Sequence, residues 1–205
     1  MRLILASNNP HKEIEFVRLL GASGVEIAGA ETVGGMPPVD ETGTTFRENA
    51  RLKAEALRPR LGAEDFALAD DSGLEVDALG GAPGVRSARF AGPHASDADN
   101  VAKLLQALEG VPVPRREARF VCVLCVVGRG GEARYFAGTC EGRILGTAAG
   151  AEGFGYDPVF QPAGYEGSFA SLGKTVKDRL SHRARAAKAL RAAALSGFAA
   201  DGGTS

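Results

Sequence analysis

A short apolar run, Phe66-Ala67-Leu68-Ala69, ends on two adjacent carboxylates, Asp70 and Asp71. This juncture restricts the fold more than any other in the chain. The run reads as a buried strand. In α/β folds ligands gather beyond the carboxyl ends of strands. Two neighbouring acids there are costly unless a cation or a proton neutralises them. They can hold a divalent cation or position a water. Asp70-Asp71-Ser72-Gly73 also has the composition of a polar turn, and the four residues taken alone read as one. The loop Gly80-Gly81-Ala82-Pro83-Gly84 follows and leads to Arg86 and Arg89, whose guanidinium groups suit phosphates.

The flanking segments supply the rest of an α/β pattern. Arg2 to Ala6 reads as a first strand, and a helix is expected from about His11 to Leu20, with Ile14, Phe16, Val17, Leu19 and Leu20 apolar. Between them lies the polar loop Ser7-Asn8-Asn9-Pro10-His11-Lys12. A helix N-terminus presents backbone N–H groups to anions, and Lys12 adds a positive charge. The Gly-x4-Gly-Lys-Ser/Thr spacing of a P-loop is lacking. Val25 to Ala28 reads as a second strand, and Gly34 to Gly43, containing Asp40 and Glu41, as irregular. Thr45 and Glu48 have capping-box spacing. Phe46, Ala50, Lys53, Ala54 and Leu57 then share a helical face. Lys53 on that face either snorkels from its edge or aims a cation at Asp71.

Further on, Ser96 caps an expected helix from Asp97 to Leu108, which Pro112 and Pro114 close off. Ala118 to Val127 and Ala133 to about Cys140 read as long strands joined by the glycine-rich turn Gly128 to Gly131. A second glycine-rich segment, Gly142 to Gly155, leads into Phe154-Gly155-Tyr156-Asp157. The last helix is expected from about Lys177 to Leu195. The alternation of elements with a long antiparallel portion predicts a mixed sheet. We expect one domain over residues 1–197 and a flexible tail over 198–205.

Charge and cysteines exclude several functions. Net charge is −1 over 205 residues, so no global field draws nucleic acid or anionic membrane. No apolar run approaches the ~18 residues of a membrane span, and the first residues lack the pattern of a signal peptide. Three cysteines, an odd number, fit a reducing cytosol and a cytoplasmic protein. Cys122 and Cys125 lie three apart within an expected strand and face opposite sides. No second pair exists to complete a zinc site, so both are expected in the core.

Four sites require one explanation: Ser7 to Lys12; the acids Asp40, Glu41, Asp70 and Asp71; Phe154 to Asp157; and Lys177 with Ser181, His182 and Arg183. Together they offer a phosphate grip, a place for a hard cation, an aromatic platform and a polar cluster. Mg²⁺ favours a few carboxylates plus substrate phosphates and water, and Phe154 or Tyr156 can stack on a base. The sum describes a Mg²⁺-dependent nucleotide enzyme. Each part also has a plainer reading, with Phe154 and Tyr156 as core aromatics and His182 as a surface residue of a basic helix. Residues 174–191 carry seven basic side chains against one acid. That leaves open a nucleotide- or RNA-binding module without turnover. A phosphatase releasing orthophosphate is a third possibility.

Several motifs occur in one order along the chain: Ser7-Asn8-Asn9-x-x-Lys12, Phe46-x-x-Asn49-Ala50-x-x-Lys53-Ala54, Asp70-Asp71-Ser72-Gly73-Leu74 through Gly81-x-Pro83-Gly84-x-x-Ser87-Ala88-Arg89, Gly153-Phe154-Gly155-Tyr156-Asp157-Pro158 and Ser181-His182-Arg183. In this the sequence resembles the inosine/xanthosine triphosphate pyrophosphatase family from Leu3 to about Leu195. The resemblance implies an elongated mixed β-sheet flanked by helices, two lobes with an active-site cleft between them, and a homodimer. It implies Mg²⁺-dependent hydrolysis of ITP, dITP and XTP to the monophosphate and pyrophosphate, which removes them from the nucleotide pool. Neither nucleic acid nor membrane is an expected partner. Ser7, Asn8, Asn9, Pro10, His11 and Lys12 would bind the triphosphate. Asp71 would be the catalytic acid or base and a metal ligand, with Lys53 beside it in the catalytic group. Asp40 or Glu41 would be the other metal ligand. Ser72, Phe154, Gly155, Tyr156, Asp157, Lys177, His182 and Arg183 would contact substrate. The chain departs from many members of that family in carrying Thr175-Val176 where they have an acidic pair.

Overall fold

The computed structural model describes residues 1–21 and 25–195. The expected tail, residues 198–205, lies outside the described residues. Six strands form one mixed sheet in the order β2-β1-β3-β4-β5-β6. They are β1 (Arg2–Leu5), β2 (Glu26–Gly29), β3 (Asp65–Val76), β4 (Glu117–Val127), β5 (Ala133–Ile144) and β6 (Phe160–Pro162). The helices are α1 (Pro10–Leu20), α2 (Phe46–Leu57), α3 (Asp97–Ala107), α4 (Phe169–Leu180) and α5 (His182–Leu195). β1 pairs in parallel with both β2 and β3, whereas β5 and β6 are antiparallel. Only residues 128–132 separate β4 from β5, so these neighbours form the expected hairpin.

The chain divides into two compact units. The first comprises the described residues of 1–71, 123–138 and 185–195, and the second residues 72–122 and 139–184. The first unit's core packs small side chains: Ile4, Ala50, Ala54, Leu57, Ala67, Ala69 and Cys125. Alanines on α2 allow that helix to approach β1 and β3 closely. The second unit is built around aromatics, with Phe120, Tyr156, Phe160 and Phe169 buried alongside Leu74, Val76 and Leu104. Phe120 lies 4.5 Å from Phe160 and 6.3 Å from Phe169 between ring centroids. Aromatic pairs in this range contribute beyond their buried area.

Helix starts follow the capping chemistry of the sequence. Thr45 and Glu48 form a capping box at α2, and Ser96 with Asp99 forms another at α3. Three expectations are corrected. Asp70-Asp71-Ser72-Gly73 is not a turn, because β3 continues through it to Val76. The expected last helix is broken at Ser181: α4 begins eight residues before Lys177 and is kinked at Gly173 (φ +78°, ψ 172°), and α5 starts afresh after Ser181. Ser181 is extended (φ −62°, ψ 156°), and its Oγ accepts the N–H of Ala184, which caps α5. β5 also runs past Cys140 to Ile144, into the segment read as a glycine-rich loop. All three cysteines are buried thiols, and burial pushes the Cys125 thiol up to about 11.

Candidate functional site

The site residues of the first unit gather where β1 ends. Ala6 N–H donates to Leu68 O at 2.7 Å, the last rung between β1 and β3. The chain then turns into α1. Asn9 is the helix cap: its Oδ1 accepts from His11 N–H at 2.9 Å and Lys12 N–H at 3.3 Å, and Pro10 occupies the first turn. Ser7 Oγ accepts the N–H of Asn9 at 3.1 Å. The amides expected to receive an anion are therefore already paired within the turn. The positive charge of this corner comes from Lys12, whose Nζ lies 2.7 Å from Asp70 Oδ2. The Asp70 side chain is fully buried.

Asp71 has its own cation. Lys53 Nζ donates to Asp71 Oδ1 at 2.7 Å and stands 3.8 Å from Glu41 Oε2. The topology explains the division. Successive residues of a strand project to opposite faces. The connection from β1 to its neighbour β2 carries α1, and the return from β2 across β1 to β3 carries α2. With right-handed crossovers these helices cover opposite faces. One lysine thus arrives from each face to meet one of two adjacent acids. An isolated acidic pair in the middle of a strand would be prohibitive, and two cations remove the difficulty.

Burial raises the Asp71 carboxyl above the ordinary aspartate value, and the charge of Asp70 adds to this, while Lys53 and Lys12 pull it back. Asp71 Oδ2 is buried without a hydrogen-bond partner. A buried carboxylate oxygen left in this way costs free energy unless a cation or a donor reaches it. Glu41 is partly exposed beside the same lysine, whereas Asp40 is exposed at the surface. Among the described residues, no group of three or more His, Cys, Asp or Glu side chains forms a ready-made metal cage. Mg²⁺ needs none, because it is commonly held by one or two carboxylates plus substrate phosphates and water. The orphaned Oδ2 of Asp71, with Glu41 near, fits that requirement.

The second unit carries the other site residues. Asp157 is buried, and its Oδ2 accepts from both Phe154 N–H at 2.9 Å and Lys177 Nζ. Lys177 Nζ lies 4.4 Å from the Phe154 ring centroid and Arg183 Cζ 5.2 Å from it, so two cations lie against this one ring. Gly153 (φ +84°) is required here, since a Cβ would stand 2.1 Å from Asp157 Oδ2. Gly155 N–H donates to Asp97 Oδ2 at 2.6 Å. Tyr156 is a core residue, with its hydroxyl donating to Ser87 O at 2.9 Å. Its phenol is pushed far up by burial. His182 is buried and stacks on Phe120 at 4.8 Å and 12°. Ser72 is half-buried on β3, next to Asp71.

The roles of three residues are not visible in the sequence. Asp70 was read only as half of an acidic pair, and its role is to hold Lys12. Asp97 was read only as the first residue of a helix, and it pins Gly155. Ser87 accepts the N–H of Leu74 at 2.8 Å and donates to Gly84 O, which ties the glycine-rich loop to β3. The adjacency of Asp70 and Asp71 carried a signal, because two acids on opposite faces of one strand call for two separate cations.

A family model described as the Ham1 family matches residues 3–193. The chain is 52% identical over 192 residues to a dITP/XTP pyrophosphatase of Opitutus terrae, covering 91% of this chain and 95% of the relative. It is 47% identical to one of Desulforamulus reducens, covering 92% of each. Among solved structures, a HAM1 protein from Coxiella burnetii is similar at 36% identity with a TM-score of 0.86, covering 96% of this chain and 100% of that one. A structure described as nucleoside-triphosphatase / dITP/XTP pyrophosphatase from Mycobacterium abscessus is 44% identical with a TM-score of 0.75, covering 93% and 98%.

Proposed function

The chain belongs to the Ham1 family, and on that premise we propose that it is a nucleoside triphosphate pyrophosphatase. It hydrolyses deaminated purine nucleoside triphosphates, dITP and XTP and with them ITP, to the nucleoside monophosphate and pyrophosphate. The observation that carries this reading is the near full-length match, at 52% identity, to a relative bearing that activity in its name. The geometry of the candidate site supports it.

Lys12 and Lys53 neutralise phosphate charge, each prepositioned by an acid. Substrate oxygens can replace Asp70 and Asp71 as partners of the two ammonium groups. Asp71 acts as the base that orients a water and takes its proton. Its raised carboxyl makes it a better base than an exposed aspartate. Before substrate binds, Lys53 holds Oδ1, and the unpartnered Oδ2 is open to a water or a cation. Asp71 and Glu41 would hold Mg²⁺, which when bound screens phosphate charge and acidifies water. Phe154 offers a stacking face for the base, stiffened by Asp157 and Lys177. Arg183, a donor that cannot switch to acceptor, suits the 6-oxo group of inosine and xanthine. The family resemblance also supports a homodimer and a cytoplasmic location. No described helix is long and apolar enough to cross a membrane.

The test is to incubate the protein with ITP and Mg²⁺ and identify the anion released. Pyrophosphate is expected. Orthophosphate would instead mark a phosphatase. Absence of product together with salt-sensitive RNA binding would mark a binding module built on the basic C-terminal helix.

A further inference from the structure

We infer that Asn49 is a positioning residue that clamps the Glu41-bearing loop to α2 and so sets Glu41 beside Lys53. Asn49 lies one helical turn before Lys53, and its side chain is completely buried. Its Oδ1 accepts the N–H of Gly43 at 2.8 Å, two residues beyond Glu41. Its Nδ2 is buried with no hydrogen-bond partner. Buried polar groups are almost always paired, and an unpaired donor costs free energy. A side chain kept inside at that cost is kept for its other end, the acceptor that grips Gly43. Gly43 is fitted to the grip. A Cβ there would stand 2.6 Å from Asn49 Oδ1, 2.7 Å from Glu48 Cβ and 3.0 Å from the Asn49 backbone nitrogen.

The neighbouring residues fix the same loop from its other end. Glu48 Oε2 accepts from Thr44 N–H, Thr44 Oγ1 and Thr45 N–H. These bonds also hold the Glu48 carboxyl below the ordinary value. They are exposed, however, and they act on residues farther from Glu41. The buried clamp is the Asn49–Gly43 bond. It completes a chain of contacts running from Asn49 through Gly43 and Glu41 to Lys53 and Asp71.

This inference rests on the reading of Glu41 as a metal ligand, and the experiment separates the two. Binding of Mn²⁺ alone, without nucleotide, is measured by water-proton relaxation in the wild type and in Glu41→Ala, Asn49→Ala and Glu41→Ala/Asn49→Ala. Hydrogen exchange of the Gly43 amide is followed in parallel, and thermal unfolding in EDTA confirms a folded state. We expect Asn49→Ala to raise the Mn²⁺ dissociation constant about tenfold, ~1.4 kcal/mol, with the double variant no weaker than Glu41→Ala. Gly43→Ala, which leaves Asn49 in the core but crowds its Oδ1 and so displaces the loop, should mimic Asn49→Ala if that variant folds poorly. Full Mn²⁺ affinity in Asn49→Ala beside a weakened Glu41→Ala overturns the inference and leaves the ligand reading intact. Summed losses in the double variant overturn it as well, because Asn49 would not then act through Glu41. If Glu41→Ala binds Mn²⁺ normally, the ligand reading falls. Gly43 exchange then decides: lost protection in Asn49→Ala upholds the clamp, and unchanged protection removes it.

Discussion

As the proposed base, Asp71 would join stability to chemistry at a single carboxyl. Its raised titration means that the folded protein holds this proton to a higher pH than the unfolded chain does. Below the ordinary aspartate value both states are protonated and the group costs folding nothing. As pH rises through the window between the ordinary and the raised value, the unfolded chain releases its proton first and folding loses stability. In metal-free protein the melting temperature of the wild type should fall relative to Asp71→Asn across that window and run level above it. A constant difference at all pH values would show that burial does not govern this group. The same substitution should reduce kcat more than tenfold, at least ~1.4 kcal/mol of barrier, while nucleotide still binds. An amide cannot take the proton, and it is a poor Mg²⁺ ligand. Arg183 is expected to act on discrimination. Comparing kcat/KM for ITP and ATP, Arg183→Ala should compress the ratio, because a donor matched to the 6-oxo group goes unsatisfied against a 6-amino group. An unchanged ratio would assign Arg183 to support of Phe154 alone.

At the scale of elements, the parts legible in the sequence were those written in local chemistry. Thr45 with Glu48 and Ser96 at the head of α3 announce helix starts, since caps involve residues only three apart. The end of β3 was not legible. Asp-Asp-Ser-Gly has a turn's composition, yet the strand continues because Lys12 and Lys53, 58 and 18 residues away, neutralise the acids from two helices. No local pattern records such partners. The break at Ser181 was hidden for the same reason. An uninterrupted basic and alanine-rich run reads as one helix, and only the tertiary place of Ser181 turns its hydroxyl into a cap for α5. The site motifs were legible as residue types, but their division into a lysine–acid corner and an Asp157–Lys177–Phe154 cluster was not. Asn9 is the testable element. It caps α1 through two amides, so Asn9→Ala should cost about 1 kcal/mol, a lowering of roughly 2–4 °C for a chain of this size. It should also free the His11 and Lys12 amides, so triphosphate affinity should fall less than stability suggests. A larger loss of affinity than Lys12→Ala would show that the Asn9 side chain itself holds substrate.

Two assignments concern the molecule as a whole. The homodimer rests on the family resemblance, and sedimentation at micromolar concentration should give about twice the 21.2 kDa of the single chain. A species at 21.2 kDa would contradict it. The second is linkage between ligand and fold. The chain has net charge −1 and buries acids beside its lysines, so it has no general attraction for a polyanionic nucleotide. Binding must come from local exchange, in which phosphate oxygens take over the lysines and a divalent cation takes over the relieved carboxylates. Each ligand should bind more tightly when the other is present. A ligand that binds only the folded state at a hundred times its dissociation constant adds ~2.7 kcal/mol, which for this length raises the melting temperature by roughly 5–10 °C. Lys53→Met, which keeps the stem but removes one cation, tests this without rapid turnover obscuring the measurement. In the wild type with a non-hydrolysable ITP analogue, Mg²⁺ and analogue together should raise the melting temperature by more than the sum of their separate effects. In Lys53→Met the excess should shrink. Simple additivity in the wild type would mean that metal and triphosphate bind independently, and that the paired lysines and acids are structural rather than a site awaiting its charges.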